Sequence, residues 1–305
     1  MFNPLSFPVR LKGDAISVLD ETQLPFEETY IEVKNLDGAL EVLRGMKTRA
    51  FGQVLLFFYT CVLTVNIDKT ANAFKKTRPT FDFFSLAEIL KDAYKETGSL
   101  REAVNSIIQG FEENRIKRAK NLAKLLPSQA NILTICNLNG EFIYLYQALA
   151  EIGKSACFFV CETRPYLQGT RLTFWELNKE DIPVRLLCDN QAAILMKEKT
   201  INCVIAGSDR SIKKGDIINK IGTYSLAILS HYFHIPFYVL TQHPKDIGIQ
   251  EIKIEERQEK EVFMWLKERN LWPKAIYPAF DITPKRFISG WIGISGNINE
   301  ARRNK

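Results

Sequence analysis

The chain is 305 residues long, enough for one large or two ordinary domains with real cores. At 46% hydrophobic and 25% charged residues it reads as an average globular protein, not a disordered or fibrous one. The net charge of +6 suits a small anionic ligand. It does not call for nucleic acid, because the basic residues are spread out apart from a short run at Arg302, Arg303 and Lys305. No membrane span is expected. The longest apolar run, 54–65, is too short for a bilayer and is interrupted by Thr60 and Thr64, so it reads as a buried helix. The opening Met-Phe-Asn-Pro lacks a basic region leading into an apolar one, which makes a cytoplasmic protein the expectation. Cysteine usage agrees. Cys61, Cys157, Cys161, Cys188 and Cys203 lie in apolar runs and read as small buried hydrophobes, and no Cys-x-x-Cys pair implies zinc or a disulfide framework.

From the amino end, segments 9–11 and 16–19 around Lys12-Gly13-Asp14 read as a hairpin, with a third strand over 30–33. An amphipathic helix follows over 38–46, then the apolar helix over 54–65. Ser85-x-x-Glu88 and Ser99-x-x-Glu102 have capping-box spacing and are expected to open helices. The second of these carries Val104, Ile107, Ile108, Phe111, Ala119 and Leu122 at helical spacing and stops before Pro127. Pro127 is taken as the boundary between an N-terminal α+β domain, 1–126, mostly helical with a short β-hairpin, and a C-terminal domain, 127–305. Beyond it strands at 131–135, 156–160, 184–187, 204–206 and 236–240 alternate with helices at 142–152, 167–177, 191–197 and 219–233. Strands apolar throughout and joined by helices define the class as α/β, with a Rossmann-like doubly wound parallel sheet.

Polar residues mark the carboxyl ends of these strands: Cys136-Asn137, Glu162-Thr163-Arg164, Asp189-Asn190 and Asp209-Arg210. In open α/β sheets ligands bind off that edge, where the strand order reverses. With the order 3-2-1-4-5, Cys136 and Asp209 flank the crevice. Asn219 reads as an N-cap, which puts Asn219 and Lys220 on the first turn of a helix, a seat for a phosphate. A solvated turn with a helix cap is the plain alternative for this stretch. Cys136, just before a helix, reads either as an activated thiol or as a packing residue. The turn after the first strand has one glycine and no Gly-x-Gly-x-x-Gly, and no Gly-Lys-Ser/Thr loop occurs, so no nucleotide cofactor is expected. His231 and His234 lack an acidic neighbour and read as ordinary surface histidines, so no metal is expected.

Longer motifs are more specific: Glu162-Thr-Arg-Pro-Tyr-Leu-Gln-Gly-Thr-Arg-Leu-Thr-Phe-Trp-Glu-Leu177, Gly207-Ser-Asp-Arg with Gly215-Asp-Ile-Ile-Asn-Lys-Ile-Gly-Thr223, Pro278-Ala-Phe-Asp-Ile-Thr-Pro284 and Leu19-Asp20 with Leu24-Pro25. Together they resemble the methylthioribose-1-phosphate isomerases of methionine salvage. Their superfamily includes ribose-1,5-bisphosphate isomerase and the regulatory subunits of the translation-initiation exchange factor. The resemblance implies a cofactor-free aldose-to-ketose isomerisation of a phosphorylated pentose, with Cys136 and Asp209 as the catalytic pair. It implies substrate contacts from Gln168, Asn219, Lys220 and Arg78, and a phosphate contact from Arg49. It also implies a homodimer formed through the C-terminal domain. An isomerase of another ribose phosphate and a non-catalytic regulatory member are the other readings the superfamily offers. Where the family reads Val-Arg-Gly-Ala-Pro-Ala-Ile-Gly, this chain has Thr48-Arg-Ala-Phe-Gly-Gln53, and the loop after Cys136 is shorter by several residues.

Overall fold

A computed structural model describes residues 3–79, 81–241, 244, 245, 248, 252–263, 274–296 and 298–300. Thr80 and the terminal basic run at Arg302, Arg303 and Lys305 lie outside them. The chain divides into two units, Met1–Glu113 and Asn114–Lys305, and not at Pro127. The division falls within one long helix. The early turns of that helix put Ala103 and Val104 into the core of the first unit, and its later turns put Ala119, Leu122 and Ala123 into the core of the second.

The first unit opens with β1 (Val9–Lys12), β2 (Ala15–Leu19) and β3 (Tyr30–Val33), an antiparallel sheet in that order. Helices α1 (Leu36–Arg44), α2 (Phe51–Thr64), α3 (Ile67–Thr77), α4 (Phe83–Thr97) and α5 (Leu100–Leu125) follow. The apolar run is the buried helix expected: on α2, Leu55, Leu56, Phe57, Phe58 and Cys61 are all fully buried. Phe74 and Phe83 lie 5.5 and 5.6 Å from the Phe57 ring, centroid to centroid. Burying each such ring contributes about 2 kcal/mol. Helix α3 was not foreseen, because only Ile67, Ala71 and Phe74 form its apolar stripe in a polar sequence. Helix α4 is capped by Asp82, which accepts from the Ser85 N–H at 3.2 Å, so Ser85 stands inside the first turn and is not the cap. Ser99 does cap α5, accepting from the Glu102 N–H at 3.4 Å.

The second unit continues with β4 (Gln129–Thr134), α6 (Glu141–Glu151), β5 (Ser155–Cys161), a π-helical segment (Gly169–Phe174), α7 (Trp175–Lys179), β6 (Val184–Leu187), α8 (Ala192–Lys197) and β7 (Cys203–Ala206). Then come β8 (Arg210–Ser211), β9 (Ile217–Lys220), α9 (Thr223–Tyr232), β10 (Phe237–Leu240), β11 (Phe280–Thr283), β12 (Gly290–Ile292) and β13 (Ile298–Glu300). Seven strands form one sheet in the order β13-β12-β10-β7-β4-β5-β6, parallel except for β13. The five strands foreseen therefore stand in the order 3-2-1-4-5.

The central strands β4, β5 and β7 are covered on both faces, so successive side chains enter different cores. Ile132, Phe158, Cys203 and Ile205 join Leu122, Phe142, Leu149 and Leu177 on one side. Leu133, Phe159, Val204 and Ala206 join Met196, Leu226 and Ala227 on the other. The helices leaving β4 and β5 thus pack on one face and those leaving β6 and β7 on the opposite face, as right-handed crossovers require. Strands β4 and β7 are neighbours from which the chain departs to opposite sides, which opens the crevice at their carboxyl ends.

Two expectations fail here. Cys188 is exposed and Cys157 only half-buried, because β6 is the edge of the sheet and covers less. Residues 217–220 are a strand and not a helix start. The partners of β9 are β8 and, from sixty residues downstream, β11. Among the described residues no helix is long and apolar enough to cross a membrane.

Candidate active site at the switch point of the sheet

Cys136 lies two residues beyond β4 with φ +68°, a left-handed backbone that non-glycine residues adopt only when their surroundings enforce it. The enforcing groups are visible. The Cys136 N–H donates to Thr163 Oγ1 at 2.9 Å, and its carbonyl accepts from Thr173 Oγ1 at 2.6 Å. The next residue, Asn137, donates through Nδ2 to Thr173 Oγ1 and to Glu176 Oε1, both at 3.0 Å. The second Glu176 oxygen accepts from the Gly140 N–H at 3.1 Å. Thr163, itself at φ +63°, is fixed in turn by Asp189, whose carboxylate accepts from the Thr163 and Arg164 N–H groups at 2.8 and 2.7 Å. The other cysteines contrast with this one. Burial pushes the Cys61 and Cys203 thiols up to about 12, so they remain protonated packing groups.

Asp209 follows β7, the strand beside β4, by three residues. It is exposed, and its N–H donates to the Ile218 carbonyl at 2.9 Å. The two strand ends are in contact: a Cβ added to Gly207 would lie 3.1 Å from Leu138 in the Cys136 loop and 3.7 Å from Asn219 Oδ1. A Cβ added to Gly222, at φ +100°, would lie 2.8 Å from Ile135. The 136–140 loop, the end of β7 and the β9–α9 turn therefore converge, and Cys136, Asp209, Asn219 and Lys220 are carried on or next to these segments.

Asn219 and Lys220 do not stand on a helix. Both are buried on β9, with Asn219 Nδ2 donating to Thr223 Oγ1 at 2.9 Å. Helix α9 begins at Thr223, and two of the amide groups at its start are already taken. The Asp281 carboxylate, on β11, accepts from Gly222 N–H at 2.7 Å and Tyr224 N–H at 3.1 Å. Burial raises the Asp281 pKa to about 6 against the pull of these two bonds. The carboxylate at this helix tip is thus the protein's own. Lys220 is the cation that β9 carries. It is 8% exposed, its Nζ lies 4.7 Å from the Phe280 ring centroid, and among the described residues no carboxylate pairs with it. A desolvated ammonium held by a ring face alone favours an anionic ligand.

Gln168 immediately precedes the π-helical segment that follows β5. It is 3% exposed, and among the described residues its Oε1 has no hydrogen-bond partner. An orphaned buried acceptor costs about 1–3 kcal/mol, which a ligand hydroxyl would recover. The following Gly169 is required where it stands, because a Cβ there would meet the Cys161 carbonyl oxygen at 1.8 Å.

Arg49 and Arg78 belong to the first unit, where one network joins them. Arg78 donates to Gln53 Oε1 at 2.5 Å, and Gln53 Nε2 donates to the Thr48 carbonyl at 2.9 Å. Glu21 Oε1 accepts from Thr48 Oγ1 at 2.6 Å and from the Arg49 N–H at 3.1 Å. Lys47 pairs with Asp20 at 2.8 Å beside them. Ala50, in the place of the family's glycine, has φ +39° and ψ −108°, so the bend survives without the residue that fits it best. Phe51 is a core residue of this unit, edge-on to Phe7 and Phe111 at 5.9 and 5.5 Å.

Thr173, Glu176 and Asp281 were not singled out from the sequence, and Thr163 and Asp189 stood out only as polar residues at strand ends. Thr173, Glu176 and Asp281 sit within motifs that were, 162–177 and 278–284, so the signal was present without a role attached to it.

The sequence profile of the Initiation factor 2 subunit family matches residues 31–300. A methylthioribose-1-phosphate isomerase from Geobacter metallireducens is 33% identical over 95% of this chain and 94% of its own length. The crystal structure of 5-methylthioribose 1-phosphate isomerase from Pyrococcus horikoshii superposes with a TM-score of 0.82 at 26% identity, covering 98% of this chain and 95% of that one. That of the translation initiation factor eIF-2B delta subunit from A. fulgidus gives 0.83 at 26% identity, over 97% and 96%. The chain belongs to the initiation factor 2 subunit family, the family of the methylthioribose-1-phosphate isomerases.

Proposed function

We propose that the chain is a cofactor-independent isomerase that converts the pentose 5-methylthioribose 1-phosphate to 5-methylthioribulose 1-phosphate. Cys136 and Asp209 follow the neighbouring strands β4 and β7, and Lys220 is buried on β9, which accepts from the Asp209 N–H; these observations support the reading. Lys220 holds a negatively charged oxygen of the substrate, and Gln168 Oε1 accepts from a sugar hydroxyl. Asp209 gives its proton to the ring oxygen as the C1–O bond of the furanose opens. Cys136 takes the proton from C2 and returns it to C1, and the 2-hydroxyl becomes the ketone as it gives its proton back to the Asp209 carboxylate. No atom or electron leaves the substrate, so the balance needs no external oxidant. The protein acts as a homodimer. Ile194, Ile228 and Tyr232, exposed on the neighbouring helices α8 and α9, supply apolar surface for such a contact.

Turnover of methylthioribose 1-phosphate, followed by carbon-13 NMR beside ribose 1,5-bisphosphate, tests the reading. Conversion of the methylthio sugar alone is expected. Conversion of the bisphosphate instead would reassign the substrate to another ribose phosphate. A second reading, a non-catalytic regulatory member, is favoured by the equal likeness to the eIF-2B delta subunit and by Ala50-Phe51 in the altered arginine loop. Absence of turnover on both sugars by the folded dimer would select it.

A further inference from the structure

We infer that Thr173 and Glu176 are positioning residues that set the orientation and reactivity of the Cys136 thiol. This rests on the isomerase reading for its kinetic consequence but not for its chemical one. The 136–140 loop is bent at a non-glycine residue, and such a bend relaxes unless something holds it. The holding groups come from one segment. Thr163 takes the N–H of Cys136 and Thr173 the carbonyl, so the peptide groups on both sides of the Cys136 α-carbon are pinned by hydroxyls. Glu176, fully buried, takes the Asn137 side chain with one oxygen and the Gly140 N–H with the other, which closes the loop at its far end.

The geometry explains why the segment is built as it is. Gly169 is pressed against the Cys161 carbonyl, and a π-helical turn follows it. A π turn spreads its side chains differently from an α turn and recurs at functional sites. Here Thr173, near the end of the π turn, and Glu176, in the first turn of α7, both bond to the Cys136 loop. Asn137 joins the two, donating to both. The motif 162–177 is thus a clamp for a loop 25 to 40 residues earlier in the chain, not itself a set of reacting groups.

The test uses the full-length protein and three variants: Thr173→Val, Thr173→Ser and Glu176→Gln. Valine keeps the volume and removes the hydroxyl, and serine restores it. Glutamine puts a donor where Asn137 or Gly140 needs an acceptor. Two readouts are taken: kcat and KM on methylthioribose 1-phosphate, and the iodoacetamide alkylation rate of Cys136 between about pH 6 and 9, resolved by peptide mass spectrometry. Exposed Cys188 serves as the internal reference. Thr173→Val and Glu176→Gln are expected to lower kcat about tenfold or more with KM changed less than about threefold, and to displace the Cys136 alkylation profile by about half a pH unit or more. Thr173→Ser should match the parent protein in both, and Cys188 should react alike in all. A Cys136 profile in Thr173→Val that superimposes on the parent overturns the inference, and Glu176→Gln decides it should the valine variant not fold. A parent protein without turnover sinks the isomerase reading, while the alkylation profiles still decide the clamp.

Discussion

The 136–140 loop and the 48–53 loop both bend at a non-glycine residue, Cys136 in one and Ala50 in the other. Both lean on a buried glutamate, Glu176 and Glu21. The difference lies in how the carboxyl groups are satisfied. Glu176 has a donor on each oxygen. Glu21 takes two donors on Oε1, while among the described residues Oε2 is buried with no partner. Burial raises the Glu21 pKa to about 7, only partly offset by Thr48 and Arg49, with Asp20 adding repulsion. One loop is held by a completed polar network, and the other by a half-completed one whose strength depends on pH.

The comparison breaks most sharply at Cys136. Replacing it by serine, or Asp209 by asparagine, should lower kcat about 10³-fold or more while the unfolding transition stays in place. Turnover that survives either change would mean that the well-held loop serves no reaction. Next in size is the pH dependence carried by Glu21. Its folded pKa lies above the unfolded value near 4.5, so its contribution to stability is intact below 4.5 and fades as pH rises through about 7. Glu21→Gln keeps an acceptor for Thr48 and removes the charge. It should match the parent protein at pH 4.5 and exceed it by up to about 3 kcal/mol at pH 8.5, measured by urea unfolding. An equal difference at both pH values would remove Glu21 as the tuned group.

Smaller effects sharpen the contrast. Lys220→Met preserves the packing against Phe280 but removes the cation. It should raise KM about 10-fold or more and weaken competition by inorganic phosphate, with kcat changed less. An unchanged KM would move the anion site elsewhere. The smallest effect is expected at Ala50→Gly, which relieves the backbone at φ +39° and should stabilise the protein by about 1 kcal/mol in the same unfolding assay. Loss of stability there would mean that the bend is unstrained as it stands.

Local pattern was enough to read the alternation of strand and helix after Pro127, the α/β class and the position of the crevice. Buried parallel strands are apolar from end to end, and their reach is a few residues. The neighbouring ends of β4 and β7, and with them Cys136 and Asp209, follow from that pattern and the handedness of crossovers. What sequence could not supply was any partner far along the chain. Ile217-Ile218-Asn219-Lys220 looks like a helix start until β11, sixty residues later, pairs with it and Asp281 takes the helix cap. Thr173 and Glu176 look like helix residues until the Cys136 loop folds beneath them. The split of α5 between two cores is invisible in its continuous apolar stripe. Periodicity is written along the chain and can be read one window at a time. Hydrogen-bond partners and the sharing of a helix between cores exist only once distant segments meet, so only the tertiary structure decided them.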